Sequence, residues 1–128
     1  MISSLLFLPG SVLAQVSISE VMYDLPDADS GREWIEVYNR EGEAVDLSKY
    51  SLREGSTNHK LVLSKGTTLL PPGALAIIAD DATKFLADNP NFSGTIFNSA
   101  FSLSNSGEAI SLVIGSSTIN SFSYTSAI

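Results

Sequence analysis

The stretch EWIEVYN, residues 33–39, decides the fold. Its apolar side chains alternate, with Ile35 and Val37 on one face and Trp34, Glu36 and Tyr38 on the other. A period of two is that of a β-strand with one face turned to a core. The same theme repeats on either side of it. Short β-branched and aromatic runs are separated by Gly, Pro, Asn, Asp and Ser, the pattern of an antiparallel sandwich or barrel. Upstream, VSISEVMY (residues 16–23) alternates until Glu20-Val21, where a β-bulge would restore the faces. Downstream come VDLSKYSLR (45–53) and KLVLS (60–64), and residues 67–70 lead into the turn Pro71-Pro72-Gly73. ALAIIA (74–79) is nearly all apolar, which suits a central strand covered on both sides.

One helix is expected. Asp80-Asp81 can cap it, residues 82–88 give about two turns, and Asn89-Pro90 stops it, because Pro disfavours helical geometry in the residue before it. Residues 109–114 and 118–124 then pair as a hairpin through Gly115-Ser116-Ser117. The core is expected to draw on Ile18, Ile35, Val37, Leu47, Leu52, Leu63, Leu69, Ile77, Leu112 and Ile114.

The chain has 128 residues, 44% hydrophobic and 16% charged, which is the composition of one globular domain with a single core. Cysteine is absent, which excludes a disulfide framework, a thiolate zinc site and a cysteine nucleophile. Phosphate backbones are bound mainly by Lys and Arg, so a formal charge of −7 argues against nucleic acid as a partner. An anionic membrane surface is disfavoured on the same ground. The charge is uneven: after Phe92 the only charged side chain is Glu108.

Residues 1–14 are uncharged and largely apolar, too short to span a bilayer, and Val12 and Ala14 occupy the −3 and −1 positions of a signal-peptidase site. They read as a signal peptide cleaved after Ala14, which implies a secreted or cell-surface protein whose mature domain covers residues 15–128. A basic n-region is missing, so an upstream start or a buried first strand are the competing readings.

The acidic turn between the first two strands holds Asp24, Asp27 and Asp29 ahead of Gly31. Alternate carboxylates around a glycine offer hard oxygen ligands for calcium. The turn lacks the third ligand before the glycine and a bidentate Glu at the twelfth position, where Tyr38 stands. A solvated acidic turn is therefore the preferred reading, with no metal or cofactor assigned. Glu33 and Glu36 make a poor glycosidase pair, since positions three apart on a strand face opposite sides of the sheet. Glu33 is expected to accept backbone or Arg32-type hydrogen bonds, and Glu36 to face solvent. His59, the only histidine, has no G-x-S-x-G nucleophile motif to serve and reads as an exposed turn residue. Trp34 and Tyr38 share a face and would form an aromatic binding strip unless a loop or second sheet covers them. No catalytic residue is assigned.

In order, Ile18 to Tyr23, Glu33 to Asn39, Val45 to Leu52, Leu70-Pro71-Pro72-Gly73, Ile77-Ile78-Ala79 and Leu103-Ser104-Asn105-Ser106-Gly107-Glu108 resemble the bacterial lamin-tail domain. The resemblance spans residues 16–128. It implies an immunoglobulin-like antiparallel β-sandwich without catalytic residues, serving as an interaction or structural module of secreted or surface proteins. The partner it implies is a protein or cell-envelope component. Such domains often accompany nucleases, phosphatases or other hydrolases, so an N-terminal accessory domain of a larger extracellular hydrolase is the alternative. Family members usually carry one more strand after the position of Tyr124, so the resemblance implies a C-terminal strand cut short.

Overall fold

The computed structural model describes residues 16–23 and 31–125. The signal-like segment and Asp24, Asp27 and Asp29 lie outside the described residues. The fold is all-β with one short helix. A five-stranded sheet runs in the order β1 (Val16–Met22), β2 (Trp34–Asn39), β8 (Leu75–Ala79), β9 (Thr95–Asn98), β6 (Val62–Lys65). A four-stranded sheet runs β11 (Ser117–Thr125), β10 (Gly107–Ile114), β4 (Ser51–Glu54), β5 (Thr57–Lys60), and the short β3 (Val45–Asp46) and β7 (Leu69–Leu70) pair beside them.

The main core lies between the two larger sheets. Val16, Ile18, Ile35, Val37, Ala76, Ile78 and Phe97 face Leu52, Ile110 and Leu112 across it. The alternation of EWIEVYN is thus read correctly, with Ile35 and Val37 both fully buried. The β-bulge falls one residue before the expected place: Ile18 pairs with Val37 and Glu20 with Glu36, which leaves Ser19 as the extra residue.

The helix α1 (Ala82–Asp88) has the expected bounds. Asp81 Oδ1 accepts from the backbone N of Thr83 (3.0 Å) and Lys84 (3.2 Å), and the Asn89 N–H donates to Phe85 O at 2.8 Å. Replacing Asp81 with alanine orphans two donors in the first turn. A loss of about 1 kcal/mol is expected, read as a lower urea midpoint at unchanged slope. The helix joins β8 to β9, which run parallel, the one parallel pair among the described strands. It covers the outer face of the five-stranded sheet in a second cluster of Ile77, Ala79, Ala82, Phe85 and Ile96. β8 is therefore apolar on both faces, as ALAIIA predicts.

Three expected core residues prove exposed: Leu63, Leu69 and Ile114. Their neighbours Leu61, Leu70 and Val113 are buried instead. The cause for Leu63 is a change of sheet. KLVLS is not one strand: β5 ends at Lys60, the chain crosses at buried Leu61, and β6 begins at Val62 in the other sheet. Leu63 then lies opposite Phe97 on the edge strand of that sheet, where no further strand flanks it. Leu69 and Ile114 are each one residue out of phase with buried Leu70 and Val113, and a one-residue slip moves a side chain to the opposite face. VDLSKYSLR also divides, because Asp46 Oδ1 accepts from Ser48 N (3.0 Å) and Ser48 Oγ (2.6 Å) and caps a 3-10 turn over Leu47–Lys49. The same two bonds hold the exposed Asp46 carboxyl below its usual pKa. Leu47 remains buried at that turn.

Between the sheet edges β1 and β11, side chains bridge the sandwich. Ile18 N donates to Asn120 Oδ1 at 2.9 Å and the Tyr23 hydroxyl donates to Thr125 O at 3.3 Å. The rings of Tyr23 and Tyr124 stack with centroids 4.2 Å apart. On the opposite side the chain itself closes the gap at Leu61, where Ser99 Oγ donates to Lys60 O at 2.9 Å.

Candidate functional site

Four inward-facing rows of the sandwich end in a carboxylate, all at the same end. Glu33 is in phase with Ile35 and Val37, and Asp80 with Ala76 and Ile78. Asp80 N donates to Glu33 O at 3.1 Å, so the two are adjacent. In the other sheet Glu54 is in phase with Leu52, and Glu108 with Ile110 and Leu112. Glu54 pairs with Ile110 across β4 and β10, which places Glu108 as its diagonal neighbour on the same face. Tyr124, opposite Glu108 on β11, completes the ring of groups.

The segment 99–106 crosses this end as it passes from β9 to β10. It has no ladder of its own, yet Phe101 and Leu103 are buried in the main core. Its backbone amides need acceptors, and the carboxylates supply them. Phe101 donates to Asp80, Ser102 to Glu54 Oε1 (3.3 Å), Leu103 to Glu33 Oε1 (2.8 Å) and Ser104 to Glu108 Oε1 (2.8 Å). Four consecutive amides are thus held by four carboxylates. The Tyr124 hydroxyl donates to Ser104 O at 2.7 Å.

Electrostatics follow from this crowding. Burial raises the pKa of Asp80, with Asp81 and Glu54 adding to it and the Phe101 amide and Lys84 opposing. Burial also raises Glu108, and the neighbouring Glu54 carboxyl adds to it, while the Ser104 amide and Tyr124 pull the other way. The Tyr124 phenol is pushed far above its ordinary range by burial and then by Glu108, Glu33, Glu54 and Tyr23, so it stays a neutral donor.

The residues singled out in the sequence are dispersed. Glu33 is buried against segment 99–106, which straps this end of the sandwich, and serves there as a backbone acceptor, in line with expectation. Glu36 lies on the outer face, where Ser19 Oγ donates to its Oε1 at 2.9 Å; it is half-buried rather than fully solvated. The two therefore serve opposite sides of the sheet. His59 is corrected from an exposed turn to strand β5, half-buried opposite Leu52, with Nε2 3.1 Å from Glu54 Oε1. The aromatic strip divides. Trp34 is covered by the helix, edge-on to Phe85 at 5.5 Å, whereas Tyr38 stays exposed beside its cross-strand partner Leu75.

Asn39 was not singled out, yet it is fully buried and organises a loop: Nδ2 donates to Glu43 O (3.0 Å) and Leu70 O (2.9 Å), and Oδ1 accepts from Glu41 N (2.8 Å). Its apparent place among the polar residues ending a strand concealed this. Among the described residues every buried side-chain nitrogen and oxygen has a partner, and no group of His, Cys, Asp and Glu is arranged to hold a metal ion. No helix of the described residues is long and apolar enough to cross a membrane.

Two packed sheets with side-chain-sealed edges and a carboxylate-held strap define an immunoglobulin-like β-sandwich whose inward polar groups serve the fold. The chain belongs to the lamin tail domain family, whose model matches residues 9–126. That family is one of non-catalytic immunoglobulin-like domains, which supports a general interaction or structural role. Neither the curated proteins nor the solved structures yield a match to it.

Proposed function

We propose that this chain is a non-enzymatic interaction module that acts after export, at the cell surface or outside the cell, and engages a protein or cell-envelope component. The observation that carries the reading is the use made of its acidic and histidine side chains: Glu33, Glu54, Asp80 and Glu108 accept backbone amides, and His59 is bonded to Glu54. Groups committed in this way position chain rather than substrate. The uncharged segment 1–14, with Val12 and Ala14 before Gln15, supports export, and the net charge of −7 supports a partner other than nucleic acid. Within a longer polypeptide the same module would position a neighbouring hydrolase such as a nuclease or phosphatase.

The test combines location and chemistry. Protein expressed from the whole sequence and recovered from medium and surface fractions should begin at Gln15, and the purified chain should turn over neither nuclease nor phosphatase substrates. Protein retained inside the cell with Met1 intact would overturn the export reading. Turnover abolished by Glu33→Gln or His59→Gln would overturn the non-enzymatic one.

A further inference from the structure

The outer face of the five-stranded sheet is only partly covered. Helix α1 sits over Ile77, Ala79 and Ile96 and takes Trp34 at its margin. Beyond the helix the outward row of β2 runs on as Glu36, Tyr38 and then Arg40, at steps of about 7 Å. Leu75 stands opposite Tyr38 on β8, and Glu20 stands opposite Glu36 on β1. Tyr38 and Leu75 are both exposed, and as cross-strand partners they form one apolar patch rather than two scattered side chains. The charges beside the patch are unanswered. Glu20 and Glu36 are like charges directly opposite each other, an arrangement that destabilises a strand pair. Among the described residues neither has an ion-pair partner, and nor does exposed Arg40. The face therefore runs acid, apolar, base along the strand, an order complementary to its own reverse.

We propose that a second copy of the chain docks on this face, with the two β2 strands antiparallel across the interface. A two-fold axis that crosses the strands at the patch sets Tyr38 and Leu75 against their counterparts and brings Arg40 of each copy over Glu36 and Glu20 of the other. An axis along the strands would instead oppose Glu36 to Glu36 and Arg40 to Arg40, so charge selects the first orientation. Symmetry makes every contact twice. The incoming guanidinium also relieves the repulsion between Glu20 and Glu36 that the single chain carries. A net charge of −7 makes two copies repel at long range, but at about 0.15 M ionic strength the screening length is about 8 Å, which leaves groups in contact to decide the outcome. Two exposed side chains make a small apolar centre, so the dimer is weak and reversible, with a dissociation constant of about 10–100 μM.

Sedimentation equilibrium of the purified protein from about 1 μM to about 1 mM tests this. The mean mass should rise from one chain toward two and stop there, because a two-fold contact closes on itself. Arg40→Glu turns two attractions into two repulsions and should weaken association about tenfold or more, as should Glu36→Arg. The two changes combined restore the pairing with its sign reversed, and the double variant should associate nearly as tightly as wild type. Tyr38→Ser should weaken the dimer, whereas Val62→Ser, at an exposed apolar residue on edge strand β6, should leave it unchanged. None of these side chains lies in the core, so each variant should keep the wild-type urea midpoint within experimental error. A chain that stays single over the whole range, a mass that climbs past two chains, a double variant no tighter than either single one, or association lost with Val62→Ser would overturn the proposal.

Discussion

Replacing Phe97 with alanine is expected to lower the free energy of unfolding by about 3–5 kcal/mol, the range for removing a buried aromatic ring. Phe97 is fully buried on the inner face of β9, beside Ile78 in parallel register on one side and Leu63 on the other. Its ring fills the main core near the point where β9 leads into the strap. Strands on both flanks fix the backbone here, so the structure has little freedom to collapse into the space left behind. Phe97→Leu keeps much of the volume and should cost less than half as much. Urea denaturation of both variants decides it, and equal midpoints for wild type and Phe97→Ala would show that this end of the core is already loosely packed.

Phe97 also marks a limit of reading this chain from its sequence. The strand that carries it, TIFN, is four residues long and follows the turn-rich Asn89-Pro90-Asn91-Phe92-Ser93-Gly94, so nothing in its period announces a strand. Its partner is parallel and reached through a helix, a pairing that antiparallel expectations do not supply. By contrast, the helix over Ala82–Asp88 was legible to the residue, because both its stops are local chemistry: a carboxylate cap at Asp81 and Asn89-Pro90 at the end. EWIEVYN was legible because its period is uninterrupted. Leu63 was misplaced for the opposite reason, since the switch of sheet at Leu61 is a tertiary event with no turn residue to signal it.

The carboxylate ring had a sequence signal that local propensity obscures. Glu33-x-Ile35-x-Val37, Leu52-x-Glu54, Ala76-x-Ile78-x-Asp80 and Glu108-x-Ile110-x-Leu112 each put an acid in phase with buried residues, where an apolar group belongs. One such acid reads as a strand end meeting solvent. Four at the same end of a sandwich mean that something polar must cover them, and the uncharged segment 99–106 is the only described stretch that crosses from β9 to β10. Spacing along the chain does not reveal that convergence; the antiparallel pairings of β2 with β8 and β4 with β10 do.

Glu33 is where these two kinds of reading meet, and Glu33→Ala should destabilise the domain by about 1.5–3 kcal/mol. The carboxylate is buried and takes the amide of Leu103 at 2.8 Å, a bond that is itself buried. Alanine removes the acceptor without removing the donor, so the Leu103 N–H is left desolvated and unpaired, and that residue can no longer be held in the core without cost. Glu33→Gln separates hydrogen bonding from charge. The amide oxygen still accepts from Leu103, so the loss should be clearly smaller than for alanine, while one negative charge beside Tyr124 disappears and lowers the pKa of that phenol toward its ordinary value. Urea midpoints and the ultraviolet titration of tyrosine measure the two effects independently. Equal losses for Glu33→Ala and Glu33→Gln would mean that Glu33 stabilises the fold through its charge, and that the strap does not depend on this bond.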